Sequence, residues 1–161
     1  TREDFGHWEI DTVLGHKSND DALLTLVERK TRHKIIRRIP SKTAPSVTNA
    51  LQHIFAAYSD VQDVFKTITA DNGSEFSELS DQGQGLGIDV YFSRPYASWE
   101  RGTNERHNGL IRRFIKKGQA IHTYTDERID DVENWMNTLP RKILNYQTPG
   151  EAFAKFVDCV A

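Results

Sequence analysis

The spacing of apolar and polar residues divides the chain into strand-like segments followed mainly by helix-like ones. Short apolar runs separated by turn residues predict five β-strands, at residues 8–14, 22–27, 33–39, 65–70 and 88–92. Short polar links join the first three runs, which favours an antiparallel meander. Helical patterns separate the later strands, so the order predicts an α/β fold, a five-stranded mixed sheet covered by helices.

Helical periodicity marks the segments between and after these strands. Thr43 has the character of an N-cap for an amphipathic helix, and Thr125 has the same character later in the chain. Residues 76–87 predict a short helix followed by a loose turn, because three glycines fall near the end of this segment. Residues 102–116 carry an apolar stripe beside a polar one. Residues 148–151 form a capping-box pattern that opens the last helix.

Composition bounds the class of protein. The chain has 161 residues and a mass of 18.4 kDa, with 37% hydrophobic and 27% charged residues, which predicts a single globular domain over residues 1–161. No apolar run approaches the roughly 20 residues that cross a bilayer, and the start does not resemble a signal peptide, so we expect no membrane partner and a cytoplasmic location. The single cysteine, Cys159, excludes an internal disulfide framework and a zinc site built on paired cysteines.

The charge distribution is more informative than the net charge of −2, which by itself argues against a nucleic-acid binder. Residues 29–38 contain six Lys and Arg and no acid, and residues 94–118 contain seven against two acids. Residues 58–92 contain seven acids and one lysine. Either basic cluster could be an ordinary solvated face. The second cluster surrounds Glu105, which favours a local DNA-contact surface.

Three acids are candidates for catalysis: Asp11 within the first strand, Asp71 at the end of the fourth, and Glu105 on the helix after Pro95. If the first and fourth strands are neighbours, they lie about 4.8 Å apart, and two carboxylates at that distance repel unless divalent cations neutralise them. Oxygen ligands of this kind suit Mg²⁺ or Mn²⁺, and two such ions support phosphodiester chemistry. Each acid also has a simpler interpretation: Asp71-Asn72-Gly73 as a turn, Glu105 as a solvated helical acid. An unpaired carboxylate at Asp11 in an apolar strand is harder to explain structurally.

Three stretches resemble the catalytic core of bacterial insertion-sequence transposases: residues 7–13 (HWEIDTV), 70–76 (ADNGSEF) and 98–110 (SWERGTNERHNGL). These enzymes belong to the retroviral-integrase superfamily, which has a ribonuclease-H-like fold. The chain is most similar to the insertion sequence thirty family, in which 33 residues separate the second Asp from the Glu, as residues 72–104 do here. Residues 140–149 also resemble the C-terminal signature of that family.

The resemblance implies a DDE transposase that uses two Mg²⁺ or Mn²⁺ ions to nick DNA at the element ends and join the 3′-hydroxyl to target DNA. Asp11 would bridge both ions, with Asp71 and Glu105 each completing one site. The implied partners are element and target DNA, and a homodimer or higher oligomer in the synaptic complex. The resemblance further implies an N-terminal helix-turn-helix region, which we expect to lie outside this chain. Two alternatives stay open: a ribonuclease-H-like nuclease that only hydrolyses, and a catalytically silent domain for DNA binding or oligomerisation.

Candidate DNA contacts come from the basic hairpin, the loop before the catalytic helix and that helix itself: Arg29, Lys30, Arg32, Lys34, Trp99, Arg101, Asn108, Arg112, Arg113, Lys116 and Lys117. Trp99 suits either the core or stacking on a base. Asn108 and Arg112 lie one and two turns after Glu105, where they could touch phosphate or hold Glu105 in position. If the cations bind phosphate, DNA affinity should fall steeply with salt. Glu9 suits a salt bridge or a water-orienting role, and His107 a surface or helix-packing role.

Overall fold

A five-stranded mixed sheet forms the centre of the protein, as the sequence predicts. The computed structural model describes residues 3–15, 20–94 and 102–160, with the backbone alone for residues 102–105 and 158–160. The strands are β1 (His7–Leu14), β2 (Ala22–Glu28), β3 (Lys34–Ile39), β4 (Thr67–Ala70) and β5 (Asp89–Phe92). Their order is β3-β2-β1-β4-β5. The first three are antiparallel, whereas β4 runs parallel to both β1 and β5, so the meander and the mixed sheet are confirmed.

Helices cover both faces of this sheet. They are α1 (Ala44–Ala56), α2 (Val61–Val64), α3 (Leu79–Leu86), α4 (Gly102–Ile111), α5 (Asp126–Thr138) and α6 (Pro149–Val160), with 3-10 turns at Ser74–Phe76, Ile121–Thr123 and Lys142–Leu144. Thr43 and Thr125 cap α1 and α5 through their side chains, and Thr148 and Glu151 exchange the two bonds of a capping box at α6. In the part of the chain that the structure describes, no helix is both long and apolar enough to cross a bilayer.

Two helices differ from their predicted extents. The short helix predicted within residues 76–87 is α3, but the glycines expected to form a loose turn after it, Gly83 and Gly85, lie inside the helix. Gly83 fits there because a Cβ would lie 2.8 Å from the Ile88 carbonyl oxygen, and Gly87 ends the helix with a left-handed φ of 74°. The helix predicted over residues 102–116 ends at Ile111, after which the chain continues in tighter turns.

Alternating strand residues build two separate cores. On one face, Val13, Leu23 and Ile36 pack with apolar residues of α4 and α5. On the opposite face, a larger cluster that includes Trp8 and Ile10 packs against α1, α3 and α6. All seven residues of β2 are buried, as expected for a strand covered on both sides. The arrangement is therefore a three-layer α/β/α sandwich, with the centre of the sheet at β1.

Side chains of α5 satisfy the outer edge of β3. Asn137 accepts a hydrogen bond from the Lys34 amide and donates one to the Lys34 carbonyl, both at 2.8 Å. The Glu133 carboxylate accepts from the Ile36 amide at 2.7 Å and pairs with Arg37 at 2.8 Å. Burial raises the pKa of Glu133, although these bonds to Ile36 and Arg37 oppose the shift. A helix thereby covers the free edge of a strand that could otherwise pair with another chain.

Candidate active site

The sheet brings Asp11 and Asp71 to neighbouring positions. Strands β1 and β4 are parallel, with Glu9 level with Thr69. Continuing this register by two residues places Asp11 level with Asp71, on strands about 4.8 Å apart. Asp71 follows directly after Ala70, the last residue of β4. Two of the three acids singled out from the sequence therefore lie side by side, Asp11 within β1 and Asp71 just past the end of β4.

Hydrogen bonds orient both carboxylates. The Thr12 amide donates to Asp11 Oδ1 at 2.9 Å, and the Gly73 amide donates to Asp71 Oδ1 at 2.8 Å. Asn108 Nδ2 of α4 donates to Asp11 Oδ2 at 2.8 Å. These bonds hold both oxygens of Asp11 and one oxygen of Asp71 in place.

The turn after Asp71 requires glycine at position 73. A Cβ on Gly73 would lie 2.3 Å from Glu75 Oε2 and 2.8 Å from Asp71 Oδ1, which no side chain could tolerate without displacing one carboxylate. Asn72 secures the same turn, because its Nδ2 donates to the Ser93 carbonyl at 3.0 Å. The turn interpretation of this motif is correct in geometry, and the turn carries an acid of the site.

Glu105 lies on α4, and its side chain is outside the part of the chain that the structure describes. The placement of the helix backbone is informative nevertheless. Asn108 lies about one turn after Glu105 and contacts Asp11, and α4 packs against β1. The helix that carries the third acid therefore lies against the strand that carries the first.

Buried charged groups surround Asp11 on the face of the sheet that α4 and α5 cover. Glu9 is buried and pairs with Arg29 at 3.0 Å, so the salt-bridge interpretation of Glu9 fits the structure. Lys34 is fully buried, and its Nζ has no hydrogen-bond partner among the atoms the structure describes. Burial lowers the pKa of Lys34 to about 7, although Asp11 and Glu9 oppose this shift. His107 is also buried, in agreement with a packing role, and burial lowers its pKa to about 2.

Lys34 requires a correction among the predicted DNA contacts. Its side chain has no exposed surface, so Lys34 cannot meet a phosphate from where it lies. Within the basic run at residues 29–38, the sequence does not distinguish Lys34 from its partly exposed basic neighbours. The burial follows from the sheet, in which Lys34 pairs with the buried Val27. Asn108 and Arg112 are also engaged internally: Asn108 with Asp11, and Arg112 through a 2.8 Å hydrogen bond to the Leu14 carbonyl.

The other predicted DNA contacts vary in exposure. Arg113, Lys116 and Lys117, which follow α4, are exposed. Lys30 and Arg32 are partly exposed, and Lys30 Nζ lies 5.1 Å from the centre of the Phe156 ring. Trp99 and Arg101 lie outside the described residues.

The donor set suits a hard divalent cation. Asp11 and Asp71 offer carboxylate oxygens, the ligands that Mg²⁺ and Mn²⁺ favour. Among the side chains that the structure describes, which exclude that of Glu105, no group of three or more His, Cys, Asp or Glu is arranged to hold a metal ion. A metal ion held by the aspartate pair would need a further ligand. Glu105 is the acid whose helix lies against β1.

One residue of this site was not singled out from the sequence. Glu75 is buried, accepts a hydrogen bond from the Thr12 hydroxyl at 3.1 Å, and lies 3.6 Å from Lys42 Nζ. No local signal in the sequence marks this burial, because the groups that contact the Glu75 carboxylate come from β1 and from Lys42, which are distant along the chain.

The structure resembles solved integrase cores. The catalytic core domain of bovine immunodeficiency virus (BIV) integrase matches with a TM-score of 0.69 and 18% identity, covering 94% of this chain and 95% of that one. A chain of the simian T-cell lymphotropic virus intasome, solved with PP2A regulatory subunit B56 gamma, matches with a TM-score of 0.73 and 17% identity, covering 91% of this chain and 53% of that one. The fold is therefore ribonuclease-H-like, of the integrase-core class, as expected.

The sequence comparisons define the family. The model of the integrase core domain matches residues 2–98, and the chain belongs to that family. The chain is 42% identical over 157 residues to the transposase for insertion sequence element IS4351 of Bacteroides fragilis, covering 98% of this chain and 47% of that protein. It is 38% identical over 156 residues to transposase InsI for element IS30C of Escherichia coli K12, covering 97% and 40%. The resemblance to insertion-sequence transposases is thus confirmed, and the chain spans less than half the length of these curated relatives.

Proposed function

We propose that this chain is the catalytic core of an insertion-sequence transposase, which cuts DNA at the element ends and joins the 3′-hydroxyl to target DNA. The observation that carries the proposal is the pairing of Asp11, within β1, with Asp71, just after β4, together with the packing of the Glu105-bearing helix against β1. Relatives named as transposases at 38–42% identity support it.

Asp11, Asp71 and Glu105 would hold two Mg²⁺ or Mn²⁺ ions. When bound, such ions lower the pKa of the attacking hydroxyl or water and stabilise the leaving oxygen. The chain's own contribution is to fix the ligands. The amides of Thr12 and Gly73 and the Asn108 side chain hold three carboxylate oxygens in place, so little reorganisation is needed when the ions bind.

DNA is the proposed partner. Exposed Arg113, Lys116 and Lys117, just after the α4 helix, would contact phosphates near the site. Joining two element ends in one complex requires more than one active site close together, so we propose a homodimer or higher oligomer on DNA.

A branched DNA substrate tests the chemistry without requiring recognition of element ends. In this substrate a 3′-hydroxyl lies next to the junction phosphate, so that the reversal of joining is intramolecular. With Mn²⁺, the parent should release a rejoined strand, whereas Asp11→Asn and Glu105→Gln should lose at least about 100-fold in rate because a ligand is removed. Glu127→Gln is a matched control, because Glu127 is exposed on α5.

Three outcomes of this assay would contradict the proposal. Hydrolysis without any rejoined strand would favour the ribonuclease-H-like nuclease. No reaction at all, with DNA still bound, would favour the catalytically silent domain. Full activity in Glu105→Gln would remove Glu105 from the catalytic set.

A further inference from the structure

Glu75 is a buried acid of this site that the proposed chemistry leaves without a role. It lies on the 3-10 turn Ser74–Phe76, immediately after the glycine turn that follows Asp71. Only 3% of its surface is exposed. Burying a carboxylate is costly unless hydrogen bonds and a counter-charge offset the loss of water. The contacts of Glu75 supply both, since Oε1 accepts from the Thr12 hydroxyl and lies 3.6 Å from Lys42 Nζ.

The second carboxylate oxygen lies against the Asp71 turn. Glu75 Oε2 and Asp71 Oδ1 both approach the position that a Cβ of Gly73 would occupy, at 2.3 Å and 2.8 Å. The glycine leaves the space, and Glu75 fills it. Displacing Glu75 would therefore remove the packing that holds the Gly73 backbone in its present position.

Two of the contacts of Glu75 are with residues whose backbone amides bind the aspartates, Thr12 and Gly73. Thr12 donates its hydroxyl to Glu75 and its amide to Asp11, and Gly73 packs on Glu75 while donating its amide to Asp71. We propose that Glu75 is a positioning residue, which fixes the Thr12 and Gly73 amides and thereby sets the relative placement of the Asp11 and Asp71 carboxylates. That this placement affects the binding of metal ions rests on the proposed function.

Two features favour positioning over direct metal ligation. Strand side chains alternate between faces, so Thr12 projects to the face of β1 opposite Asp11, and Glu75 meets β1 on that opposite face. Asp11, Asp71 and Glu75 are all described, yet they do not form a group that could hold a metal ion. Glu75 thus acts through Thr12 and Gly73, not on the ions.

The test compares Glu75→Ala with the conservative Glu75→Gln. Glutamine retains the length of the side chain and an Oε1 that can accept from the Thr12 hydroxyl, whereas alanine removes both the hydrogen bond and the packing on Gly73. Val132→Ala is the control for a loss of stability elsewhere, because Val132 is buried on α5 in the other core.

Amide hydrogen exchange without metal reports positioning directly. We expect the Thr12 and Gly73 amides to exchange about tenfold faster in Glu75→Ala, which corresponds to the loss of about one hydrogen bond, and within about threefold of the parent in Glu75→Gln. Calorimetric titration with Mn²⁺ should show the same order, with affinity about tenfold weaker in Glu75→Ala only. Val132→Ala should leave the ratio of these two amides to other core amides unchanged.

Several results would overturn the proposal. Parent-like exchange at both amides in Glu75→Ala would show that Glu75 positions nothing. Mn²⁺ affinity as weak in Glu75→Gln as in Glu75→Ala would show that the charge itself acts, as a ligand would. A parent protein that binds no Mn²⁺ would contradict the proposed function, and the metal-free exchange data would still decide the role of Glu75.

Discussion

Lys34 carries an ionisable group into the interior beside Asp11. Its ammonium has no hydrogen-bond partner among the described atoms, and burial lowers its pKa from 10.5 to about 7. The folded chain therefore binds this proton only below about pH 7, whereas the unfolded chain binds it below about pH 10.5. The contribution of Lys34 to the free energy of unfolding therefore becomes more unfavourable as the pH falls from 10.5 towards 7.

Replacing Lys34 with methionine should stabilise the protein at neutral pH. Lys34→Met keeps an unbranched side chain of similar length and removes the buried charge, so its free energy of unfolding should exceed the parent's by a few kcal/mol at pH 7. The difference should shrink towards pH 10, by about 1.36 kcal/mol per pH unit at most. Urea unfolding at several pH values measures it, with exposed Lys155→Met as the control. A less stable Lys34→Met at pH 7, or a pH-independent difference, would contradict this.

Individual residues of the site were predictable where strand alternation decides them. Asp11 lies in an apolar strand and Asp71 at a strand end, so the pattern places these two acids next to each other once β1 and β4 are neighbours. The burial of Lys34 and Glu75 was not predictable in this way. It depends on which helix covers the strand and on the close approach at Gly73, and these are tertiary features.

At the level of elements, side chains of α5 supply hydrogen bonds to the backbone at the free edge of β3. Asn137 bonds both the amide and the carbonyl of Lys34, and Glu133 bonds the Ile36 amide. These side chains give an edge strand partners within its own chain. The edge is thus closed to another strand at these positions.

Asn137→Ala should destabilise the protein by about 2–4 kcal/mol, since it leaves two buried backbone groups of Lys34 without partners. The exposed Asn134 lies on the same helix, so Asn134→Ala serves as a matched control and should change stability by no more than about 0.5 kcal/mol. Chemical denaturation of the two variants checks this. Equal effects of the two substitutions would show that the contact between α5 and β3 contributes little.

The limits of the helices were less predictable than their existence. The caps at Thr43, Thr125 and Thr148 are local signals, and each helix begins where its cap predicts. The glycines of residues 83–87 suggested a loose turn, but α3 continues because Gly83 packs closely on the backbone of Ile88. That packing depends on β5 and is not visible in local composition.

For the whole molecule, the uneven distribution of charge is more relevant to DNA binding than the net charge of −2. Seven acids lie within residues 58–92, whereas Arg113, Lys116 and Lys117 are exposed just after α4, the helix whose Asn108 contacts Asp11. A nearly neutral chain can bind DNA locally if its cations lie where the phosphates run, and each phosphate contact adds to the salt dependence.

Removing two of these cations should therefore weaken DNA binding and its salt dependence together. A plot of log affinity against log salt has a negative slope. For Lys116→Gln combined with Lys117→Gln, the magnitude of this slope should decrease by about one per lost phosphate contact. Lys66→Gln with Lys155→Gln removes the same charge from exposed positions away from α4 and is the matched control. Fluorescence anisotropy with duplex DNA at several salt concentrations measures the affinity and the slope for each double variant. Equal loss in the two double variants would show that total charge, not this surface, controls binding.

Anomalous diffraction from Mn²⁺-soaked crystals tests the central claim most directly, because it locates the ions independently of activity. The account predicts two manganese peaks coordinated by carboxylate oxygens at about 2.0–2.3 Å, with Asp11 contacting both ions and Asp71 and Glu105 one each. Manganese bound elsewhere on the protein, with no ion touching both Asp11 and Asp71, would contradict it.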